Sequence, residues 1–230
     1  MNYCILNGIN SNTITGLLIQ SLPPVSKPLM RTQIETIDGR DGDIITKLGY
    51  SAYDKDMEIG LYGSFDINQI IKFFDSDGIV TFSNEPDKFY KYEIVNQIDF
   101  ERLIKFRTAK VTFHVQPFKY EVDELGVILT SSGKTVTNKG NIYSKPIFTI
   151  SGEGTINLLL NGAQIFTIEL GDEGYITIDS DKLEAYKDGV LKNRLVTGNY
   201  DNLKLNVGVN TIGWTGTVSQ ISVERYSRWI

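Results

Sequence analysis

Apolar and polar residues alternate with a period of two along most of the chain, in short runs rich in Val, Ile, Thr and aromatic residues bounded by Gly, Asn, Asp and Pro. Side chains of a strand point to opposite faces in turn, so this alternation predicts half-buried strands joined by turns and a mainly β protein. One stretch departs from it. In "GSFDINQIIKFFDSDG" the apolar residues Ile67, Ile70, Ile71 and Phe74 fall at i, i+3, i+4 and i+7, with Asp66 and Gln69 placed as a capping box and Gly78 as a stop. The spacing predicts one short amphipathic helix over about 65–77. Three strand-like runs follow, "GIVTFS", "FYKYEIVNQIDFE" and "FRTAKVTFHVQPFKYEV", which are expected to return and pair with the first sheet.

Between residues 121 and 146 the pattern loosens into small and polar residues and reaches Pro146. Beyond it, short strands recur at even spacing, with Asn161-Gly162 and Asp188-Gly189 as hairpin turns, the pattern of a sandwich or jelly roll. The expected division is a first domain over 1–125, a linker over 126–140 and a second domain over 141–230.

The segment "IETIDGRDGDIITKLGY", residues 34–50, allows three readings. A calcium loop needs alternating oxygen ligands and a closing glutamate, and Arg40 stands where a ligand would be. A phosphate loop needs clustered glycines opening a helix, yet Ile44, Ile45 and Thr46 read as strand. A hairpin remains, "TQIETI" and "DIITKL" joined at the Asp41-Gly42 step.

At 230 residues the chain is long enough to bury a core without covalent staples. A single cysteine, Cys4, rules out an internal disulfide and a cysteine-based zinc site. The N-terminal residues lack the basic and apolar regions of a secretory signal, and no run is long enough to span a bilayer. Residues 1–125 carry 13 Lys+Arg against 18 Asp+Glu, and residues 126–230 carry 10 against 10. Neither part offers the positive field that nucleic-acid binding draws on.

Catalytic chemistry has little to work with. His114, the one histidine, lies in "KVTFHVQPF" opposite Val111, Phe113 and Val115, which puts it on the exposed or interface face of a strand. Cys4 sits beside Ile5 and Leu6 and reads as a small core residue. Carboxylate pairs could serve a glycosidase; Asp75 with Asp77, Asp172 with Glu173 and Asp179 with Asp181 are the pairs by count, and each lies where Asp favours a solvated turn. Trp214, Tyr175 and Tyr186 could stack on sugars, but Trp214 in "NTIGWTG" fits a sandwich core equally well, and the spacing does not separate the two.

The ordered set of segments resembles a known family. "GINSNTITGLLIQSLPP" precedes the "IDGRDGD" hairpin; the helix is followed by "FSNEPDKFYKYEIV", and "FRTAKVTFHVQPFKYE" closes the first half. "NKGNIYSKPIFTISGEGTINLLLNG", "YITIDSDKLEAY" and "VGVNTIGWTG" complete the second. Together they resemble the distal tail proteins (Dit) of siphophages and prophages of Gram-positive hosts, over nearly the whole chain. The resemblance implies an N-terminal β-sandwich or barrel-like domain with one α-helix and a long hairpin arm at about 30–50, and a C-terminal galectin-like β-sandwich. It implies a structural component of the virion at the distal end of the tail, assembled in the host cytoplasm, with no enzymatic activity, cofactor or metal. The chain would then form a ring, a hexamer in the family, joining the tail-tube protein to a tail-associated hub protein, with receptor-binding proteins as further partners and neither nucleic acid nor membrane among them. Arg31, Asp38, Arg40, Asp41, Gly42 and Asp43, on the arm, are the expected inter-subunit contacts. A competing reading is a carbohydrate-binding module or glycosidase accessory acting through the second domain.

Overall fold

The computed structural model describes residues Met1–Ile230 and is mainly β. It divides into two compact units, Met1–Val122 together with Ile230, and Asp123–Trp229.

In the first unit β1 (Cys4–Leu6), β2 (Ile9–Asn10), β3 (Leu17–Ser21), β6 (Tyr53–Leu61), β7 (Gly78–Phe82), β8 (Lys88–Ile94) and β9 (Thr108–Glu121) form one sheet in the order β2-β1-β7-β8-β9-β6-β3. β9 is the long element: its first half pairs antiparallel with β6 and its second half with β8. Alternation places Met57, Ile59, Val111, Phe113 and Val115 on the buried face with Cys4, Phe82 and Tyr90. Asp54, Asp56, Thr112 and His114 occupy the outer face, where Asp54 meets His114 Nδ1 at 2.7 Å and Asp56 meets Lys110 at 2.7 Å.

The predicted helix is α1, Ile67–Phe74. Asp66 caps it, its carboxylate accepting from the backbone N–H groups of Asn68 and Gln69, and Ile70, Phe73 and Phe74 are buried. A second helix, α2 (Phe100–Phe106), fills the gap between two runs read from sequence as strands and takes over their ends at Phe100, Glu101 and Phe106. Asp99 caps it by accepting from Arg102 N at 2.8 Å, and Arg107 ends it in the left-handed region at φ +59°. The seven-residue length and a stop at arginine in place of glycine hid it. The spacing of Phe100, Leu103 and Ile104 behind an aspartate was the available signal.

The second unit holds β10 (Val127–Leu129), β11 (Lys134–Asn138), β12 (Ile147–Leu160), β13 (Ala163–Gly171), β14 (Tyr175–Asp179), β15 (Glu184–Lys187), β16 (Val190–Leu191), β17 (Val196–Gly198) and β18 (Gly208–Glu224). The expected linker over 126–140 is therefore corrected: β10 and β11 lie in it and pair with the two ends of β18. Its polar, Gly- and Ser-containing sequence is that of two short strands and their turn. β12 and β18 run side by side with register shifts where their partners change, β12 passing from β14 to β13. Gly152 and Gly216 make this possible. A Cβ on Gly152 would lie 2.2 Å from Thr217 O, and one on Gly216, at φ +95°, would lie 2.3 Å from Thr155 O. Phe148, Ile150, Ile156, Leu158, Phe166, Ile176, Ile212 and Ile221 form the core inside this curled sheet.

Candidate functional site

β4 (Met30–Thr36) and β5 (Asp43–Tyr50) form a two-stranded sheet of their own, hydrogen-bonded to no other strand. Every residue from Arg31 to Asp43 is exposed. With β4 seven residues long, the ladder extends about 20 Å at about 3.4 Å per residue. The Asp41-Gly42 step does not form the two-residue turn that the sequence suggests. The last ladder pair is Thr36 with Asp43, which leaves a loop from Ile37 to Gly42. Within it Arg40 N donates to Ile37 O at 3.1 Å, and Gly39 holds φ +81°, the arrangement of a type II turn, whose third position favours glycine.

Register then sorts the side chains. Ile34 stands directly opposite Ile45, with Thr32 and Lys47 on one side and Thr36 and Asp43 on the other. Thr36 Oγ1 donates to Asp43 Oδ1 at 2.8 Å. Ile34 and Ile45 are 59% and 61% exposed, and Ile37 and Leu48 are exposed as well. An isolated two-stranded hairpin is marginal in water, and two open edges and an uncovered isoleucine pair are what a soluble monomer normally avoids. Both edges and the isoleucine face are suited to pairing with another chain.

The expected interface residues all lie on this arm. Arg31 is on β4, its guanidinium donating to Leu48 O at 3.4 Å, beside the bulge that Leu48 makes in β5. Asp38, Arg40, Asp41 and Gly42 form the tip loop, and Asp43 starts β5. Arg40 makes no ion pair within the chain and is exposed at the tip. Sequence reasoning chose the charged tip and missed the apolar pair behind it. The alternation of "RTQIETI" had placed Ile34 on a face with Thr32 and Thr36, a pattern that is only half apolar.

The arm's root is built. The second stalk is fixed where Tyr50 meets Phe118 edge to face, centroids 5.6 Å apart, and Ser51 N donates to Leu29 O at 2.9 Å across the base. The first stalk leaves β3 through Leu22-Pro23-Pro24-Val25-Ser26-Lys27-Pro28-Leu29.

The remaining candidate groups are occupied locally. Cys4 is fully buried, which pushes its thiol up to about 12. Asp179 is buried where a solvated turn was expected, and its Oδ1 accepts from Asp181 N at 2.9 Å and Lys182 N at 3.0 Å. Asp181 pairs with Lys145 at 2.9 Å. Glu173 pairs with Lys192 at 2.6 Å and Lys187 at 3.5 Å, and the Lys192 hydrogen bond holds its carboxyl below the usual range. Trp214 packs against the second core, and Tyr175 donates to Asp188 at 2.5 Å.

Three solved structures share this architecture. The SPP1 Dit protein (gp 19.1), described as a paradigm of the hub adsorption apparatus in phages infecting Gram-positive bacteria, matches with a TM-score of 0.64 and 18% identity, covering 97% of this chain and 98% of that one. This is the Dit fold. Chains of the phage p2 baseplate in its activated conformation match with TM-scores of 0.53 with strontium and 0.51 with calcium, each at 11% identity; the coverage is 97% and 98% of this chain and 98% of each of those. No family model and no curated protein matches the chain. At such identities the shared property is the fold, and it extends over both units: the curled sheet of the second as well as the helix-bearing sheet of the first.

Proposed function

We propose that this chain is a structural component of a phage tail tip, a distal tail protein that closes into a ring between the tail tube and the hub carrying the adsorption apparatus. The observation that carries the reading is the β4–β5 arm, an unpartnered hairpin with open edges and an exposed Ile34–Ile45 pair, on a chain with the Dit fold along 97% of its length. A ring built from identical copies uses a head-to-tail interface, in which one element of each copy reaches a different surface of the next. The arm is that element. Burial of two isoleucines would contribute about 1.5–3 kcal/mol each per interface, and ladder pairing along one edge adds to it. Arg40 at the tip is placed to meet a carboxylate of the neighbour, since a planar guanidinium suits bidentate pairing.

In this role the protein performs no catalysis. Its partners are further copies of itself, the tail-tube protein, the hub protein and receptor-binding proteins. Light scattering coupled to gel filtration tests the ring: the expected mass is a closed multiple of the 25.9 kDa chain. Replacing residues 38–43 by a Gly-Ser linker should reduce assembly while the circular dichroism spectrum stays β-rich. Normal assembly of that variant would remove the tip from the interface.

A further inference from the structure

The way the arm is rooted calls for an explanation that its exposed face does not supply. Pro23, Pro24 and Pro28 have no N–H to donate, so the chain from Leu22 to Leu29 cannot be zipped into a sheet. Its carbonyls are taken one by one by side chains of the first unit. Asn84 Nδ2 donates to Pro23 O at 3.0 Å, Lys55 Nζ to Pro24 O at 2.7 Å, and Tyr53 Oη to Ser26 O at 3.4 Å.

Lys55 is the unexpected member. It stands on the inward face of β6 in line with Met57 and Ile59, and is only 2% exposed. Its ammonium lies over the ring of Tyr90 at 4.8 Å and over that of Tyr53 at 5.6 Å. Glu85, the nearby acid, is already taken by Tyr90 Oη at 2.6 Å and Lys119 Nζ at 2.5 Å. Pro24 O is thus the one hydrogen-bond acceptor of Lys55. An apolar residue would suit this inward position of β6 as its neighbours do, and burial of the ammonium works against its charged form. The hold on the Pro24 carbonyl is what a lysine supplies here and an apolar residue would not.

We propose that Lys55 is the latch of the arm: with Asn84 and Tyr53 it pins the three-proline segment to the first unit and so fixes the direction in which the β4–β5 hairpin departs. Opening the latch frees the first stalk, so the hairpin tilts as a preformed piece about its second stalk at Tyr50 and Ser51 while the first core stays folded. The inference rests on the reading of the hairpin as a working arm, but the latch is a property of one chain and is measured without a ring.

The experiment places nitroxides at Asp41→Cys, on the tip, and Lys72→Cys, on α1, in the full chain, diluted with unlabelled protein so that only intramolecular pairs are read. Cys4 is buried and stays unlabelled. The parent should give one narrow distance distribution by double electron–electron resonance. Lys55→Met should at least double its width while the protein keeps a cooperative melt. A folded Lys55→Met chain with the parent width overturns the latch. Should Lys55→Met not fold, Asn84→Ala, at an exposed position, decides by the same criterion. Failure to form rings, with the distribution broadening as described, would count against the proposed function and leave the latch standing; rings with an unchanged width would do the reverse.

Discussion

Replacing Lys55 by methionine should change how stability of the first unit depends on pH, in a direction fixed by burial. Burial lowers the Lys55 pKa from 10.5 to about 8, the attraction of Glu85 opposing the shift and Lys119 adding to it. Below pH 8 the lysine is charged in both folded and unfolded chains, and the folded state carries the full desolvation cost. Between about 8 and 10.5 the unfolded chain still binds the proton and the folded chain has released it, so unfolding free energy rises with pH. At 1.36 kcal/mol per pKa unit the rise attributable to this group is about 2–3 kcal/mol between pH 7 and 10. Other groups push the opposite way. Cys4, raised to about 12, and Tyr53, Tyr90 and Tyr92, also raised by burial, lose stability as pH climbs past their unfolded values. These groups remain in Lys55→Met, so the difference between the two chains isolates the lysine. At pH 7 the variant is relieved of about 3 kcal/mol of desolvation cost and loses a charge-assisted hydrogen bond to Pro24 O worth about 1.5–3 kcal/mol, so it should be about as stable as the parent or slightly more so. Pulsed alkylation of Cys4, the one cysteine and a residue buried in the first core, across a urea gradient reads the first unit. Parallel pH profiles for parent and variant would refute the reasoning.

Ile34→Asp combined with Ile45→Lys should abolish assembly, read by light scattering, while shifting the melting temperature little, because neither side chain is buried within its own chain. A fragment of residues 123–230 should fold, and one of 140–230 should not: the shorter piece loses β10, β11 and Glu124, whose carboxylate accepts from Ser227 N at 2.7 Å and lies 3.3 Å from Arg225; far-UV circular dichroism distinguishes them. Gly216→Val should lower the melting temperature of the second unit by several degrees, read by tryptophan fluorescence, because the added Cβ meets Thr155 O and a β-branched residue is strained at φ +95°.

What was legible in the sequence follows from which interactions are local. Alternation in "KVTFHVQPF" put Val111, Phe113 and Val115 in the core and His114 outside, as the structure has them, and Asp66 with the Ile67–Phe74 spacing located α1. The hairpin was legible as well, but its turn was not: the tight turn closes over Ile37–Arg40 with Gly39 at its third position, while Gly42, also left-handed at φ +78°, leads into the Thr36–Asp43 pair, and the register that decides this is set by the whole ladder. β10 and β11 escaped because their strand character comes from pairing with β18, some 70 to 100 residues away. The root of the arm was half visible. "YDKDMEIGL" places Lys55 on the face of Met57 and Ile59, an anomaly that can be read from the sequence, but the carbonyl it holds belongs to a segment 31 positions earlier. No local pattern links the two.

A place at the end of the tail is tested by electron microscopy of cognate tail tubes, purified without their tips and incubated with the protein. The parent should form a ring-shaped cap at one end of each tube, and the Ile34→Asp, Ile45→Lys chain should not. Bare tube ends after incubation with parent protein, together with retention of that protein as a monomer on a glycan column, would contradict it.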